Sequence, residues 1–196
     1  LTAFADVKMV QFNKVLSPAS DCSFTPYVPS LSQMAAGSGP FNDDMLGDQW
    51  HLINTGSSSV ANSSVAGADV AVSDAWTLTA GDPRIVVAII DGPVKYNHPD
   101  LSSNMWKNSG EVAGNGIDDD KNGYVDDVYG WNCVNETGNI NWKSASETGH
   151  GTHVAGSIAA RNGNGVGVSS IAGGSGSEIY DGVRIMSCQI FRKGAK

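Results

Sequence analysis

The segment Ile85-Val-Val-Ala-Ile-Ile90 constrains the fold more than any other part of this chain. It is β-branched at every position but one, and it stops at Asp91-Gly92-Pro93. Branching at Cβ stiffens χ1 and suits a pleated surface. A short apolar run without polar alternation predicts a strand covered on both faces, as in a parallel sheet with crossover helices. The run is also too short to cross a bilayer, which needs roughly 20 apolar residues.

Other segments supply the matching pieces. Val70 to Thr79 reads as a short helix closed by Gly81-Asp82-Pro83. Tyr124 to Val134 reads as a second strand. His153 to Arg161, rich in small residues, reads as a helix ended by Asn162-Gly-Asn-Gly165. A Gly/Ser loop over 163–178 leads to a third strand, Val183–Phe191. Strand, helix and strand in this order predict an α/β fold, a parallel sheet flanked by helices and left incomplete after Phe191. Residues 1–48 hold one strand candidate, Val7–Phe12, followed by a Ser-, Pro- and Gly-containing arm, and 56–68 form another loop. Leu1 is preceded by no Met and followed by no charged and apolar leader pattern. The expectation is a removed leader or a start inside a longer protein.

Twelve Lys and Arg face twenty Asp and Glu, a net charge of −8. That excludes a general nucleic-acid or anionic-membrane binder, which needs a basic face. Cys22, Cys133 and Cys188 cannot all pair within the chain, and their spacing fits no zinc site. Cys188, inside a strand pattern, reads as a buried free thiol.

Two segments carry candidate chemistry. Asp91 ends the apolar strand, where open α/β sheets place ligands and catalytic groups, although an Asp before Gly is also a common turn former. In Gly149-His-Gly-Thr-His153, the two histidines could be a metal pair or His150 could be a base. Zinc helices usually read His-Glu-x-x-His; here the spacing is three, with no Glu between. A glycine on each side of His150 admits substrate and partner groups close to the imidazole. Asp91 could then bond its far nitrogen.

The third constellation is acidic, Asn115-Gly-Ile-Asp-Asp-Asp-Lys-Asn-Gly-Tyr-Val-Asp-Asp127. Counted from Asp118, oxygen donors fall at loop positions one, three and five (Asp118, Asp120, Asn122). Gly123 follows at six, the Tyr124 carbonyl at seven and Asp126 at nine. Tyr129 replaces the closing Glu of an EF-hand loop, and Asp127 could close the site instead. The pattern predicts Ca2+ over a solvated acidic turn, because adjacent carboxylates repel without a cation. Asp119 is expected to point outward.

Val87-Ala-Ile-Ile-Asp91 with Val94-Lys-Tyr-Asn-His-Pro-Asp-Leu101, followed by His150-Gly-Thr-His-Val-Ala-Gly156, resembles the Asp and His blocks of the subtilisin-like serine proteases, in the same chain order. The resemblance covers about residues 43–191. It implies that Asp91 and His150 belong to a Ser-His-Asp triad and that His153 is a structural helix residue. It also implies an N-terminal part of a catalytic domain over 43–196, with 1–42 as a propeptide end or junction arm. Acidic loops like 115–127 occur in many bacterial members. The family further implies a second calcium site from Gln49, Asp100, Arg161, Asn164, Val166 and Val168, the last two and Arg161 through their carbonyls.

Two departures stand out. Gly92-Pro93 replaces the usual Ser or Thr then Gly. The nucleophile block Gly-Thr-Ser is missing, the single Gly-Thr pair being Gly151-Thr152. The chain alone is therefore expected to be inactive, with a peptide or protein substrate cleaved only once a C-terminal remainder, as a second chain, supplies the Ser. A secreted, periplasmic or cell-surface location follows from the acidic charge and the calcium loop. Two other readings stay open: an inactive, calcium-dependent binding module on this fold, and a metal hydrolase using His150 and His153.

Overall fold

In the computed structural model, which describes residues 41–59, 62–176 and 181–191, the apolar run becomes β1 (Val86–Asp91). Before it lies the short helix α1 (Val72–Trp76). After it come β2 (Gly130–Asn132), α2 (Ala145–Thr148), α3 (His150–Ala159) and β3 (Arg184–Gln189). The three strands form one sheet in the order β1-β3-β2, and both pairings are parallel. The fold is an incomplete α/β arrangement, with helix α3 packed on β1 and β3. The strand candidate Val7–Phe12 and most of the arm lie outside the described residues.

Register sets the site. Val86 pairs with Arg184 and Asp91 with Gln189, so Asp91 reaches the C-terminal edge of the sheet. Ile89, Val94, Leu101, Met105, Ala155, Ala159, Val183 and Ile185 form the buried core between sheet and α3. Ala155 and Ala159 are fully buried, and their small side chains let the helix lie close to the strands. A buried polar hub braces this core. Asn104 Nδ2 donates to the carbonyls of Ala159 and Gly173 (3.1 and 3.0 Å), and its Oδ1 accepts from Arg184 Nη1.

Coverage of β1 differs from the expectation. Ile89 is 3% exposed, but Val86 and Ile90 on the opposite face are 43% and 66% exposed. The strand is apolar on both faces yet covered on one, because α3 packs on the Ile89 and Ile185 side. The other elements shift in their bounds. Residues 124–129 are turns rather than strand. There Asp126 adopts φ 55° and its carboxylate accepts from the amides of Gly114, Asn115 and Gly116, so local side-chain bonding displaces strand pairing. α1 is shorter than read, entered from Ala71 at φ 53°. α3 begins three residues earlier than read, at His150.

Leu46, Leu52 and Val72 make a second small core with Phe41, Ile53 and Trp76. Nearby, Asp43 is buried and accepts from the amides of Gly163, Asn164 and Gly165 and from Ser169 Oγ. Among the described residues, no helix is long and apolar enough to cross a membrane.

Candidate functional site

Asp91 is the last residue of β1 and His150 the first of α3, so strand end and helix start deliver them to one point. His150 Nδ1 lies 2.8 Å from each Asp91 carboxylate oxygen. With a carboxylate as acceptor, Nδ1 carries the proton, and the Nε2 lone pair is left to accept another. The Asp91 side chain is 16% exposed and that of His150 is 75% exposed, so a shielded carboxylate holds an accessible imidazole. The Gly92 amide donates to Asp91 Oδ1 and helps orient it. The Lys95 amide donates to Thr152 Oγ1, which ties the loop after β1 to the first turn of α3.

His153 is exposed on the same helix. Among the described residues, the group of three His, Cys, Asp or Glu ligand atoms within 4.8 Å of one another is Glu111, Asp120 and Asp127. Neither histidine belongs to it, which leaves the metal-hydrolase reading without a third ligand there.

In the acidic loop the predicted donors divide. Asp120 and Asp127 converge with Glu111, and Asn122 Nδ2 donates to both Asp120 and Asp127. Asp118 accepts from the amides of Asn122 and Gly123, so it shapes the turn. Asp126 gathers the three amides described above. Tyr124 stacks edgewise on Trp131 at 4.9 Å, and its amide donates to Asn122 Oδ1. Asp119 accepts from the Val112 amide and Asn115 Nδ2, outside the converging group. Glu111 escaped the sequence reading. Its carboxylate accepts from the amides of Asp119, Asp120 and Asp126, and only the fold brings it over the loop. Hard carboxylate oxygens in this number fit Ca2+.

The second predicted set also clusters. Gln49 bonds both the amide and the carbonyl of Ser169. Asp100 accepts from Asn164 Nδ2 and the Val168 amide, while its carbonyl accepts from the Arg161 amide. The Val166 amide donates to Asn164 Oδ1. Burial pushes the Asp100 carboxyl up, against the lowering effect of those hydrogen bonds. Asp43, absent from the sequence reading, faces the same loop.

The subtilase family model matches residues 82–194. Subtilisin-like protease 1 of Plasmodium vivax is 46% identical over 90 residues, 45% of this chain and 14% of that protein. Kexin of Saccharomyces cerevisiae is 29% identical over 171 residues, 86% of this chain and 17% of kexin. Among solved structures, the Aeromonas sobria serine protease, crystallised in complex with its chaperone, is similar at a TM-score of 0.49 and 21% identity. That match covers 75% of this chain and 20% of that one. A protease of Pseudoalteromonas arctica gives a TM-score of 0.43 at 23% identity, over 77% of this chain and 40% of that one. The chain thus spans a small part of the curated relatives it matches.

Proposed function

The chain belongs to the subtilase family, and we propose that it contributes Asp91 and His150 to a Ser-His-Asp triad that hydrolyses peptide bonds in peptide or protein substrates. The observation that carries this reading is the paired 2.8 Å contact of His150 Nδ1 with the Asp91 carboxylate. In the reaction, a Ser from a segment outside this sequence attacks the scissile carbonyl. His150 Nε2 takes its proton and later gives it to the leaving amine. Asp91 keeps the ring in the productive tautomer and stabilises the imidazolium.

The partner in this reading is the C-terminal remainder of the catalytic domain, on a second chain. The exposed Val86 and Ile90 on the uncovered face of β1 support such a partner, since exposed apolar surface is a common feature of interaction sites. Glu111, Asp120 and Asp127, with Asn122 and the Tyr124 carbonyl, would hold one Ca2+. Asp118 and Asp126 would frame the loop or add an oxygen. Asp43, Gln49, Asp100 and Asn164, with the carbonyls of Arg161, Val166 and Val168, would hold a second. Bound calcium would supply charge neutralisation and loop rigidity, with no part in proton transfer. A secreted, periplasmic or cell-surface setting, where calcium is plentiful, suits both sites.

Fluorophosphonate labelling with peptide hydrolysis tests the proposal. The 196-residue chain alone should be unlabelled and inactive, and adding the remainder should restore both signals. His150→Ala in the restored protein should lower turnover by orders of magnitude. A labelled serine within the chain, or a restored protein indifferent to His150→Ala, would overturn it. A folded, calcium-binding but inactive restored protein would favour the binding-module reading.

A further inference from the structure

Two thiols share the face of the sheet that α3 leaves uncovered. In β3, Ser187 and Gln189 are fully buried on the Ile185 side, and Cys188 between them is half-buried on the opposite side. Its Cα partners are Ile90 of β1, which is 66% exposed, and Trp131 of β2. Cys133 follows β2 by one residue, yet the ladder continues through it, because its amide donates to the Gln189 carbonyl at 2.9 Å. Two positions after Trp131, Cys133 falls on the same face as Trp131, and so on the face of Cys188. The two free thiols are diagonal neighbours on adjacent parallel stretches. After burial, Cys133 is the second cause that pushes the Cys188 thiol up, which marks the two as close.

This spacing suits a bridged pair better than a bonded one. Diagonal neighbours lie about 7–8 Å apart at Cα, whereas a disulfide usually needs about 4.4–6.8 Å. A cation between the sulfurs adds two metal–sulfur bonds of about 2.3 Å each, where a disulfide adds one bond of about 2.05 Å. Thiolate sulfur selects soft cations, Cu(I) among them. Two ligands leave the tetrahedral shell of Zn2+ incomplete. The converging carboxylates Glu111, Asp120 and Asp127 form a separate group that includes neither thiol. Ile90 and Trp131 put apolar surface beside the sulfurs.

We propose that Cys133 and Cys188 form a two-coordinate site for a soft monovalent cation of the Cu(I) type, distinct from the Asp91–His150 dyad and from the acidic loop. Each thiol gives its proton to solvent as its sulfur bonds the cation. No electron changes hands, so the step needs no oxidant.

Cys22 lies outside the described residues, so the test uses the Cys22→Ser chain, which keeps these two thiols and no other. The reduced, metal-free chain is titrated with Ag+, a redox-inert stand-in for Cu(I). Native mass spectrometry reads stoichiometry, competition with a monothiol reads affinity, and iodoacetamide reads thiol protection. One Ag+ per folded chain is expected, with Cys133 and Cys188 protected together. Cys133→Ser and Cys188→Ser should each weaken Ag+ by roughly 10²-fold or more, as loss of one arm of a chelate does. Denaturing urea should abolish the joint protection. Two Ag+ per folded chain, single-cysteine variants that bind as tightly, or a disulfide between the two in the purified chain would each overturn the proposal. The stoichiometry is read with both thiols in place, so it stands whatever the serine variants do to folding.

Discussion

Gly151 lies directly against Gly92: a Cβ added to Gly151 would fall on the Gly92 carbonyl oxygen. Gly92 follows Asp91, and Gly151 follows His150. The two residues adjoining the dyad thus bring α3 close to the end of β1. A side chain at Gly151 must push the helix start away from the strand, which separates Nδ1 from the carboxylate. A misplacement near 1 Å costs on the order of 10²-fold in rate. Gly151→Ala in the active protein should lower kcat/KM by about that factor. Gly156→Ala, whose added methyl meets nothing within 4 Å, should leave it close to the starting value. Equal rates for both variants would show that the contact does not position the dyad.

Asp91→Asn should keep the fold and lose the charge that supports the imidazolium. In another serine protease the same change lowers turnover roughly 10⁴-fold. A comparable loss in kcat, with melting temperature unchanged, is expected here. A normal rate would make the carboxylate structural.

Asn104 is fully buried and satisfies the carbonyls of Ala159 and Gly173 at once. Asn104→Ala takes the side-chain donor from both, leaving the Gly173 carbonyl only the Asn162 amide at 3.4 Å, and each buried unsatisfied group costs about 1–3 kcal/mol. Denaturant unfolding should register a loss on the order of 3 kcal/mol. A loss under 0.5 kcal/mol would mean that water replaces the amide.

Calcium should stabilise the complete protein. At free calcium about 100 times the dissociation constant, linkage gives about 2.7 kcal/mol. Chelator should lower the melting temperature, and magnesium should restore it poorly because it demands a smaller octahedral site. Asp120→Ala and Glu111→Gln should blunt the response, since both residues belong to the converging group. Asp119→Ala should keep it, since that carboxylate bonds Val112 and Asn115 instead. Identical melting curves with calcium and chelator would leave a solvated turn.

The two thiols among the described residues, Cys133 and Cys188, should differ in reactivity. Burial, with a smaller contribution from Cys133, pushes the Cys188 thiol up, while Cys133 is exposed. A raised thiol pKa favours the neutral form in the folded state. That stabilisation is complete below the unfolded value, about 8.5, and is lost as pH rises through the higher folded one. At pH 8 iodoacetamide should label Cys133 well before Cys188, read by peptide mass spectrometry. Equal rates would contradict the burial argument.

Local chemistry was legible without the fold. Six apolar residues before Asp91 specified β1, glycines around His150 marked a close approach, and Asp118 to Asp127 announced an oxygen-rich turn. Each of these signals is held by residues within a few positions of one another. Strand bounds at 124–129 were misjudged because Asp126 bonds amides ten to twelve residues back, a competition that hydrophobic pattern does not register. Tertiary structure alone decided the rest. Glu111 joins Asp120 and Asp127, Asp43 reaches a loop 120 residues away, and Ile90 is left open while Ile89 is buried. The physical reason is that hydrogen bonds and burial depend on what lies across a contact. Parallel pairing brings β1, β2 and β3 together from widely separated stretches, and sequence neighbours carry no record of that partner.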